Sequence, residues 1–428
     1  MTKRVIIVGG GFAGLNAAKG LANARDIDVI LIDERNHHLF QPLLYQVATA
    51  GLSPAEIAEP IRGILSRARN IRVLRERVLD VDLSKRVVVS DAGDHPYDYL
   101  ILACGSKHAY FGNEAWEEYA PGLKTLEQAT EIRRRVLSAF EEAEKETKPE
   151  VKRSLLTFVI VGGGPTGVEL AGAIGEMSHF TLTRDFRQID PALARIILIE
   201  AGPRILPTFD DKLAARAVRD LESLGVQIWT ESPVTDIDAS GLDVGSKRLA
   251  CRTVLWAAGV KASSLGLALG AKLDRQGRVM VGDDLSLPGH PEVFIAGDQA
   301  HVADENGNPL PGMAPAALQQ GRYLARRLRK MVRGGSYPDF RFHDKGQMAT
   351  IGRRRAILEF GNIKFAGITA WAAWLVIHIY YLAGFKNRLF VVLQWVWSYF
   401  TYRRGARLIM EKDWRFYPEE TDDSVERQ

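Results

Sequence analysis

The chain has 428 residues and a formal net charge of +4, and this length accommodates about three domains. Its two cysteines, Cys104 and Cys251, do not form a C-x-x-C pair. A disulfide-reductase mechanism is therefore excluded, and the cysteine content fits a reducing compartment rather than a disulfide-stapled secreted protein.

The first motif in chain order is a glycine-rich turn at residues 8–14, which read VGGGFAG. It follows an apolar run and opens a helical stretch of small residues, which is the strand–turn–helix context of a dinucleotide-binding fingerprint. In this motif Gly9 permits the tight turn, Gly11 lets the backbone approach a pyrophosphate, and Gly14 packs the helix on the strand. The helix N-terminus is then directed at the phosphate charge.

An acidic residue, Asp33, ends the next predicted strand, about 20 residues after Gly14. At that position a carboxylate can accept hydrogen bonds from ribose hydroxyls. His37 and His38 follow in a predicted turn and lack Cys or carboxylate partners at ligand spacing. We therefore predict no metal site.

The fingerprint recurs at residues 161–167, which read VGGGPTG, after a charged helical connection over residues 123–153. Its three glycines, Gly162, Gly164 and Gly167, match those of the first copy in spacing. This copy also follows an apolar run and precedes a small-residue helical stretch, so the sequence predicts a second strand–turn–helix unit.

Each copy is followed by a similar closing segment. Residues 97–105 (YDYLILACG) end in Gly105, and residues 252–259 (RTVLWAAG) end in Gly259, at nearly the same distance from the start of each fingerprint. One such motif is often only a glycine-rich turn, but two copies in register with matching closing strands indicate a repeated unit. We therefore predict two nucleotide sites, with both closing glycines beside the nucleotides.

In the second unit the predicted strand over residues 195–200 ends in Glu200, after an insertion over residues 177–190. A carboxylate at this position repels a 2′-phosphate, so NADH is favoured over NADPH. Arg204 lies four residues further on and could lessen that preference.

A third signature occurs at residues 292–298, which read EVFIAGD. It is an apolar strand that ends in Gly-Asp, and Asp298 there can reach the ribityl chain of a flavin. Because this strand completes the first unit after the second is finished, the sequence predicts one domain inserted into another, each with its own parallel sheet and helices.

A basic segment over residues 322–364 holds 12 Lys and Arg against 3 Asp and Glu, whereas the tail from residue 418 is acidic. A solvated basic face is a common arrangement. No nucleic-acid recognition motif accompanies the segment, so we predict no nucleic-acid partner.

Two stretches without Lys, Arg, Asp or Glu follow, at residues 365–385 and 389–402, and Arg403 and Arg404 come after the second. They contain the aromatic residues Trp371, Trp374, Tyr380, Tyr381, Trp395, Trp397, Tyr399 and Tyr402. Such aromatics concentrate at membrane interfaces, and adjacent basic side chains are attracted to anionic lipids. The first stretch is long enough to span a bilayer.

Glycines and a histidine, Gly367, His378 and Gly384, interrupt the first stretch. We therefore predict that residues 365–402 lie on the bilayer surface in a monotopic arrangement rather than as a span. The alternative is a buried hydrophobic interface of a homodimer.

Taken together, these motifs resemble those of type II NADH:quinone oxidoreductases over nearly the whole chain. The resemblance is carried by residues 40–48 (FQPLLYQVA), residues 162–169 (GGGPTGVE), residues 256–259 (WAAG) and Gly297-Asp298. It implies an α/β fold of two nested Rossmann-like dinucleotide-binding domains plus a C-terminal membrane-associated helical region.

The resemblance also implies the cofactors, FAD on the outer domain and NADH on the inserted one. The predicted boundaries are 1–122 and 266–335 for the two parts of the FAD-binding domain, 123–265 for the NADH-binding domain and 336–428 for the membrane-association domain. The implied reaction is hydride transfer from nicotinamide C4 to flavin N5, followed by two-electron reduction of a membrane quinone to quinol without proton pumping.

The resemblance also implies roles for two site residues. Glu169 is placed beside the nicotinamide and flavin rings, and the alternative is a first-turn carboxylate that complements the helix dipole. The family's Ala-Gln-x-Ala-x-Gln quinone motif reads APAALQ at residues 314–319, with Pro315 in place of the first glutamine. Gln319 is then the best candidate for a quinone contact, and a surface helix amide is the alternative.

Pro315 suits the first turn of a helix that we predict to run through Leu328. The resemblance directs the positive N-terminus of this helix at the flavin, where the helix dipole would stabilise the anionic reduced form.

Other functions stay open on the sequence alone. A sulfide:quinone oxidoreductase needs redox cysteines at the flavin, and Cys104 keeps that alternative, although the intact second fingerprint argues against it. The C-terminal aromatics disfavour a soluble NADH-dependent flavoprotein reductase with a protein acceptor, and the flavin signatures disfavour a nucleotide-sensing binding protein. Because Val5 already starts the first strand, we expect no targeting segment and a location on the cytoplasmic face of the inner membrane.

Overall fold

The computed structural model describes residues 2–304, 307–382, 384–401 and 405–410. The first part of the chain carries β1 (Lys3–Val8), α1 (Phe12–Leu21), β2 (Ile27–Asp33), β3 (His37–Leu39), α2 (Leu44–Ala48), β4 (Ala58–Pro60), α3 (Ile61–Ile64), β5 (Ile71–Arg75), β6 (Val78–Asp82), β7 (Val87–Ser90), β8 (Gly93–Pro96), β9 (Tyr99–Leu102), β10 (Ser106–His108) and α4 (Trp116–Tyr119).

The middle part carries α5 (Leu126–Lys145), α6 (Pro149–Leu155), β11 (Thr157–Val161), α7 (Pro165–Glu176), β12 (Arg195–Ile199), α8 (Asp211–Glu222), β13 (Val226–Trp229), β14 (Val234–Asp238), β15 (Gly241–Val244), β16 (Lys247–Ala250), β17 (Thr253–Trp256), β18 (Val260–Ala262) and α9 (Leu265–Ala268). The last part carries β19 (Val279–Met280), β20 (Ser286–Leu287), β21 (His290–Ile295), β22 (Ala300–His301), α10 (Ala314–Met331), β23 (Gln347–Gly352), β24 (Arg355–Phe360), β25 (Ile363–Ala366), α11 (Ile368–Tyr381) and α12 (Phe385–Thr401).

The larger sheet is built from two distant parts of the chain. Among the described residues its strand order is β20-β21-β9-β1-β2-β5, with β1 pairing in parallel with both β2 and β9, and β21 joining β9. Because β20 and β21 follow the middle part in sequence, the first unit is completed only after the second. The nested α/β arrangement predicted from the repeated motifs is thus confirmed at the level of the sheets.

The second sheet lies wholly within the middle part. Its order within the described chain is β13-β12-β11-β17, and all of its pairings are parallel. Every residue of β11 is buried. A parallel sheet covered by helices on both faces requires such near-continuous apolar strands, which is why the apolar runs before both fingerprints form central strands.

The adjacent histidines belong to a strand rather than to the predicted turn. His37 and His38 start β3, which pairs in antiparallel fashion with β4. His38 donates a hydrogen bond from Nδ1 to the carbonyl oxygen of Gly10 at 3.0 Å, and burial lowers its pKa to about 4. This neutral side chain therefore supports the first glycine turn.

Each fingerprint helix is approached closely by one later element, and a glycine makes each approach possible. A Cβ on Gly321 of α10 would overlap the carbonyl oxygen of Ala13 in α1. A Cβ on Gly172 of α7 would overlap the carbonyl oxygen of Ile351 in β23. Backbone therefore meets backbone at both contacts, where no larger side chain fits.

The C-terminal region begins with the antiparallel sheet β23-β24-β25, and α11 and α12 follow it. Trp374, Leu382 and Val391 from this region join the hydrophobic core that contains α7 and the second sheet. The two helices are therefore partly structural, because their inner faces complete the core of the nucleotide-binding part.

The uncharged stretch over residues 365–385 is not one helix. It begins in β25, and α11 has 14 residues while α12 has 17. No helix in the described residues combines the length and apolar character needed to cross a bilayer. Tyr402, Arg403, Arg404 and the acidic tail after residue 418 lie outside the described residues.

The basic segment over residues 322–364 is not one solvated face. Arg327 pairs with Asp284, Lys364 pairs with Asp210, and Arg329 donates to the carbonyl oxygens of Gly20 and Ala22. These partners are distant in sequence, so the charges tie α10 and β25 to the rest of the fold.

The α7–β23 contact gives a test of stability. Helix propensity alone favours Ala over Gly in a helix interior by about 1 kcal/mol. Gly172→Ala should instead lower the free energy of unfolding by about 3 kcal/mol, because its methyl group overlaps Ile351. Thermal unfolding measures this change. Gly63→Ala is the matched control, since a Cβ at this helical position meets no atom closer than 3.9 Å and should leave Tm unchanged or slightly higher. An equal loss in both variants would contradict the packing argument.

Candidate functional site

The first fingerprint forms an open cradle at the N-terminus of α1. Gly9 has φ +103°, and a Cβ there would overlap the carbonyl oxygen of Ala103, whereas a Cβ on Gly14 would overlap that of Gly9. Gly11 caps the helix with no side-chain hydrogen bond, and a Cβ there meets nothing within 4 Å. The free backbone N–H groups and the empty space in front of them fit a pyrophosphate.

The second fingerprint repeats this geometry at the N-terminus of α7. Gly162 has φ +112° and lies against Ala257, and a Cβ on Gly167 would overlap the carbonyl oxygen of Gly162. Gly164 caps the helix, again with open space in front of it and with Pro165 in the first turn. This site therefore also fits a dinucleotide.

The two acidic residues hold equivalent positions. Asp33 accepts from the backbone N–H of Gly10 at 2.6 Å and from that of Arg35 at 2.7 Å. Glu200 accepts from the N–H of Gly163 and from that of Gly202, both at 2.7 Å. Each carboxylate is thus fixed against its own glycine turn, with remaining lone pairs available to ribose hydroxyls.

The surroundings of Asp33 change its pKa, and the contacts of Arg204 bear on the choice between NADH and NADPH. Burial raises the pKa of Asp33 above its usual value, although the backbone donors oppose this shift. Arg204 forms an ion pair with Asp211 at 2.8 Å and donates a hydrogen bond to the carbonyl oxygen of Pro207. The arginine is therefore occupied in a contact that does not involve a 2′-phosphate.

The closing glycines join the two units. Gly105 and Gly259 have φ values of +67° and +66°, and they lead into β10 and β18. These two short strands pair with each other in antiparallel register. The glycines therefore lie where the chain crosses between the two nucleotide-binding units.

Asp298 lies in a polar network beside the first fingerprint. Ser106 donates to Asp298 Oδ2 at 2.7 Å, and Lys124 Nζ donates to Ser106 Oγ at 2.7 Å and lies 3.9 Å from the carboxylate. Burial lowers the pKa of Lys124, and the nearby Asp298 opposes this effect. Gly297 packs against Ala13 and Ala317, which brings this network to the first turns of α1 and α10.

Sequence reasoning did not identify Ser106, Lys124, Gln299 or Gln320 in this network. The buried Gln320 accepts from the N–H of Gly297 at 2.6 Å, and Gln299 accepts from that of Cys104 at 3.1 Å. Gln320 adjoins Gln319 in the motif, which was the only available signal. The other three residues have no recognisable spacing in the sequence.

A cavity of about 790 Å³ lies between the nucleotide-binding part and the C-terminal helices. Its walls include the buried Thr49 and the half-buried Glu169 at one side, and the exposed Val376, Tyr380 and Phe400 at the other. The cavity therefore connects an exposed apolar surface with a polar group on the second fingerprint helix.

Glu169 is the acid at this cavity. Burial raises the pKa of Glu169 to about 8, and a long bond of 3.5 Å from the N–H of Thr350 only partly opposes the shift. The side chain is therefore a neutral carboxylic acid below that pH, which can donate a proton.

Gln319 lies outside the lining of this cavity as the described residues define it. Its amide donates to the carbonyl oxygen of His343 at 2.8 Å and accepts from the N–H of His343 at 3.0 Å. It fastens α10 to the segment that precedes β23, and its quinone contact stays a prediction. The helix that carries it begins at Ala314 with Pro315 in its first turn, as predicted, and ends at Met331.

The cysteines do not form a redox pair. Cys104 and Cys251 are free and pack in different hydrophobic clusters. Burial raises the pKa of both thiols to about 12, which disfavours the reactive thiolate.

Comparison with known proteins shows similarity along most of the chain. Residues 3–321 match the family model of pyridine nucleotide-disulphide oxidoreductases, and residues 344–404 match that of the NDH2 C-terminal domain. A solved NDH2 structure from Plasmodium falciparum in complex with NADH superposes with a TM-score of 0.88 at 20% identity, covering 96% of this chain and all of that chain. A sulfide:quinone oxidoreductase from Aquifex aeolicus gives a TM-score of 0.71 at 19% identity, with 90% and 92% of the two chains covered. These two likenesses concern the fold alone.

Sequence similarity to two proteins of Mycobacterium tuberculosis is higher. Both are type II NADH:quinone oxidoreductases and both are 44% identical to this chain, over 425 and 424 residues. The alignments cover 96% and 95% of this chain and 90% and 89% of those proteins. With two fingerprints and this near full-length similarity, the chain belongs to the family of type II NADH:quinone oxidoreductases.

Proposed function

We propose that this enzyme, an FAD-dependent NADH:quinone oxidoreductase, binds FAD at the first fingerprint and NADH at the second, and reduces quinone in the cavity beneath the C-terminal helices. The main support for the proposal is the cavity itself, because it joins Glu169 on the second fingerprint helix to an exposed apolar surface. An apolar electron acceptor needs such an apolar route into the protein, whereas an electron acceptor that is itself a protein would not.

The cofactor assignment follows from what differs between two otherwise equal cradles. Asp298, Ser106 and Lys124 lie only beside the first fingerprint, where a ribityl chain and its hydroxyls would meet carboxylate, hydroxyl and ammonium groups. When bound there, FAD supplies the chemistry of accepting a hydride from NADH and passing two electrons to the quinone. Residues 1–122 and 266–335 would then form the FAD-binding domain, and residues 123–265 the NADH-binding domain.

The residues of the chain supply positioning and a proton. Reduction of a quinone to a quinol takes up two electrons and two protons, of which one proton has to come from solvent because the hydride of NADH carries only one. Glu169 is protonated at neutral pH and lines the cavity, so it is placed to deliver that proton. The carboxyl is then reprotonated from solvent.

The exposed apolar faces of α11 and α12 are proposed to lie on the bilayer surface. Leu393, Trp397 and Phe400 form one face of α12 and are 54%, 61% and 77% exposed. A membrane-association domain over residues 336–428 on the cytoplasmic face of the inner membrane would let a lipid quinone enter the cavity from the acyl region. Burial of the same face against a second copy of the chain is the alternative.

The prediction that the aromatic residues of residues 365–402 lie at a membrane interface is wrong for two of them. Trp374 is only 2% exposed, and Trp395 donates its indole N–H to Gln46 at 2.8 Å. These two rings face the protein, and the proposed lipid contact is assigned to Trp397 and Tyr380 instead.

The cofactor assignment predicts different defects at the two acidic positions. Asp33→Asn should reduce the flavin retained by the purified protein, read as flavin absorbance relative to protein absorbance. Glu200→Gln should keep the flavin and raise KM for NADH about tenfold or more, because each amide replaces a carboxylate that accepts charge-assisted hydrogen bonds. Flavin loss from the Glu200 variant, with normal retention by the Asp33 variant, would reverse the assignment.

The raised pKa of Glu169 predicts a pH dependence of quinone reduction. The carboxyl carries its proton below about pH 8 and loses it above, so the rate at which quinone reoxidises the reduced flavin should fall as the pH rises through about 8. Stopped-flow absorbance measures this rate after prior reduction with NADH. Glu169→Gln, which cannot ionise, should be slower at neutral pH and show no fall at that pH; retention of the wild-type profile would remove Glu169 from this role.

The membrane assignment predicts the effect of charges on α12. Leu393→Asp, Trp397→Asp and Phe400→Asp combined should release the protein from vesicles that contain anionic lipid, measured by co-sedimentation, because three carboxylates oppose insertion of that face. Reduction of a soluble dye by NADH should stay normal. Leu193→Asp with Leu267→Asp is the control, because these side chains are 77% and 64% exposed on other surfaces; retained sedimentation of the triple variant, with a change from dimer to monomer in solution, would support the homodimer instead.

A further inference from the structure

Phe111 is an exposed aromatic side chain beside the second fingerprint. Its ring is 70% exposed, whereas the neighbouring Tyr110 is buried. A Cβ on Gly259 would overlap Cζ and Cε2 of the Phe111 ring, so one edge of the ring rests on that closing glycine. A single exposed apolar side chain is common on a protein surface, so the exposure alone does not indicate a site.

The backbone of Phe111 provides a second observation. Phe111 and Gly112 have φ values of +55° and +93°, and the N–H of Asn113 donates to the carbonyl oxygen of Tyr110 at 3.1 Å. A tight turn with positive φ at both central residues strongly prefers asparagine, aspartate or glycine at the first of them. A phenylalanine there costs conformational energy and gains little burial in return. Such strained positions cluster at functional sites.

The turn that carries Phe111 is fastened to the second unit. Trp256 at the end of β17 donates its indole N–H to the carbonyl oxygen of Ala109 at 3.1 Å, and the Tyr110 ring stacks on Trp256 with centroids 4.9 Å apart. The N–H of Ala109 donates to the carbonyl oxygen of Gly259 at 3.3 Å. These contacts hold the turn against the carboxyl end of β17, so the position of the Phe111 ring is preset.

The strand order of the second sheet indicates which part of a dinucleotide meets this ring. β11 ends at the glycine turn, and its neighbours β12 and β17 lie on opposite sides of it. Glu200 follows β12, whereas Gly259 follows β17 and contacts Phe111. A dinucleotide with its pyrophosphate at the N-terminus of α7 and its adenosine ribose at Glu200 therefore extends its other half over β17. In NADH that other half carries the nicotinamide.

We propose that the Phe111 ring packs against the nicotinamide–ribose half of NADH. This inference rests on the proposed binding of NADH at the second fingerprint and names a substrate-binding residue within that site. An exposed phenyl ring is complementary to a planar ring or to the apolar face of a sugar, and aromatic rings attract each other in offset-stacked and edge-to-face arrangements. Ser106 of the Asp298 network precedes Phe111 in the same short segment, so this segment contacts both proposed nucleotide sites.

The test removes the ring and keeps the turn. Phe111→Asn supplies a residue type that this turn favours, so Tm should be unchanged or slightly higher. Binding of NAD⁺ to the oxidised full-length holoenzyme is measured by calorimetry, and flavin reduction is followed against NADH concentration by anaerobic stopped flow. We expect Kd for NAD⁺ and for NADH to rise about three- to tenfold, the effect of one lost aromatic packing contact. Phe111→Tyr keeps the ring and should bind both ligands as the wild type does.

The matched ligand is ADP, which has the adenosine half and no nicotinamide. Its Kd, measured by the same calorimetry, should be the same for Phe111→Asn and the wild type. The matched variant is Phe180→Asn, which removes a half-exposed phenylalanine after the C-terminal end of α7 and should change none of these constants.

Two results would overturn the assignment of Phe111. One is an unchanged Kd for NAD⁺ and NADH in Phe111→Asn, and the other is an equal loss of ADP binding, which would place the effect on the adenosine half or on the site as a whole. Failure of NADH to reduce the wild-type flavin, or unchanged NADH binding in Glu200→Gln, would instead overturn the proposed NADH site on which the inference rests.

Discussion

The arrangement of the cavity beneath the C-terminal helices depends on the contact between α7 and β23. Gly172 lets the helix backbone approach the carbonyl oxygen of Ile351, so that no side chain separates them. Glu169 lies one turn earlier on the same helix and meets Thr350 on the same strand. Because β23 leads through β24 and β25 to α11, this contact fixes the C-terminal helices relative to the second fingerprint. The cavity is the space that remains between them.

The two fingerprint units share the same strand–turn–helix backbone. They differ in the elements that pack on their helices. In the first unit α10 packs on α1 through Gly321 and brings the segment of Asp298 with it. In the second unit β23 packs on α7 and brings an apolar cavity instead. The two similar glycine turns thus acquire different surroundings from elements that come later in the chain: a polar network in the first unit and a cavity with mainly apolar walls in the second.

The difference between local motifs and later packing elements explains what could be predicted from the sequence. Both fingerprints, their acidic partners and the nested order of the sheets follow from local motifs, because strand, turn and helix signals lie within about 30 residues. The cavity does not, because Thr49, Glu169, Thr350 and Trp374 are brought together only by tertiary packing. Apolar content alone could not tell the inward Trp374 from the outward Trp397, since α11 and α12 are apolar around most of their surface. The charges of the basic segment were equally ambiguous, because partners such as Asp210 and Asp284 lie far away in sequence.

The chemistry of the cavity requires that its polar groups be few and neutral. An ionised carboxylate beside the apolar walls would hold water and oppose entry of an apolar ring, whereas in the proposed reaction a protonated Glu169 would admit the ring and retain a proton for it. The same burial that raises the pKa of Glu169 therefore also favours entry of an uncharged substrate ring.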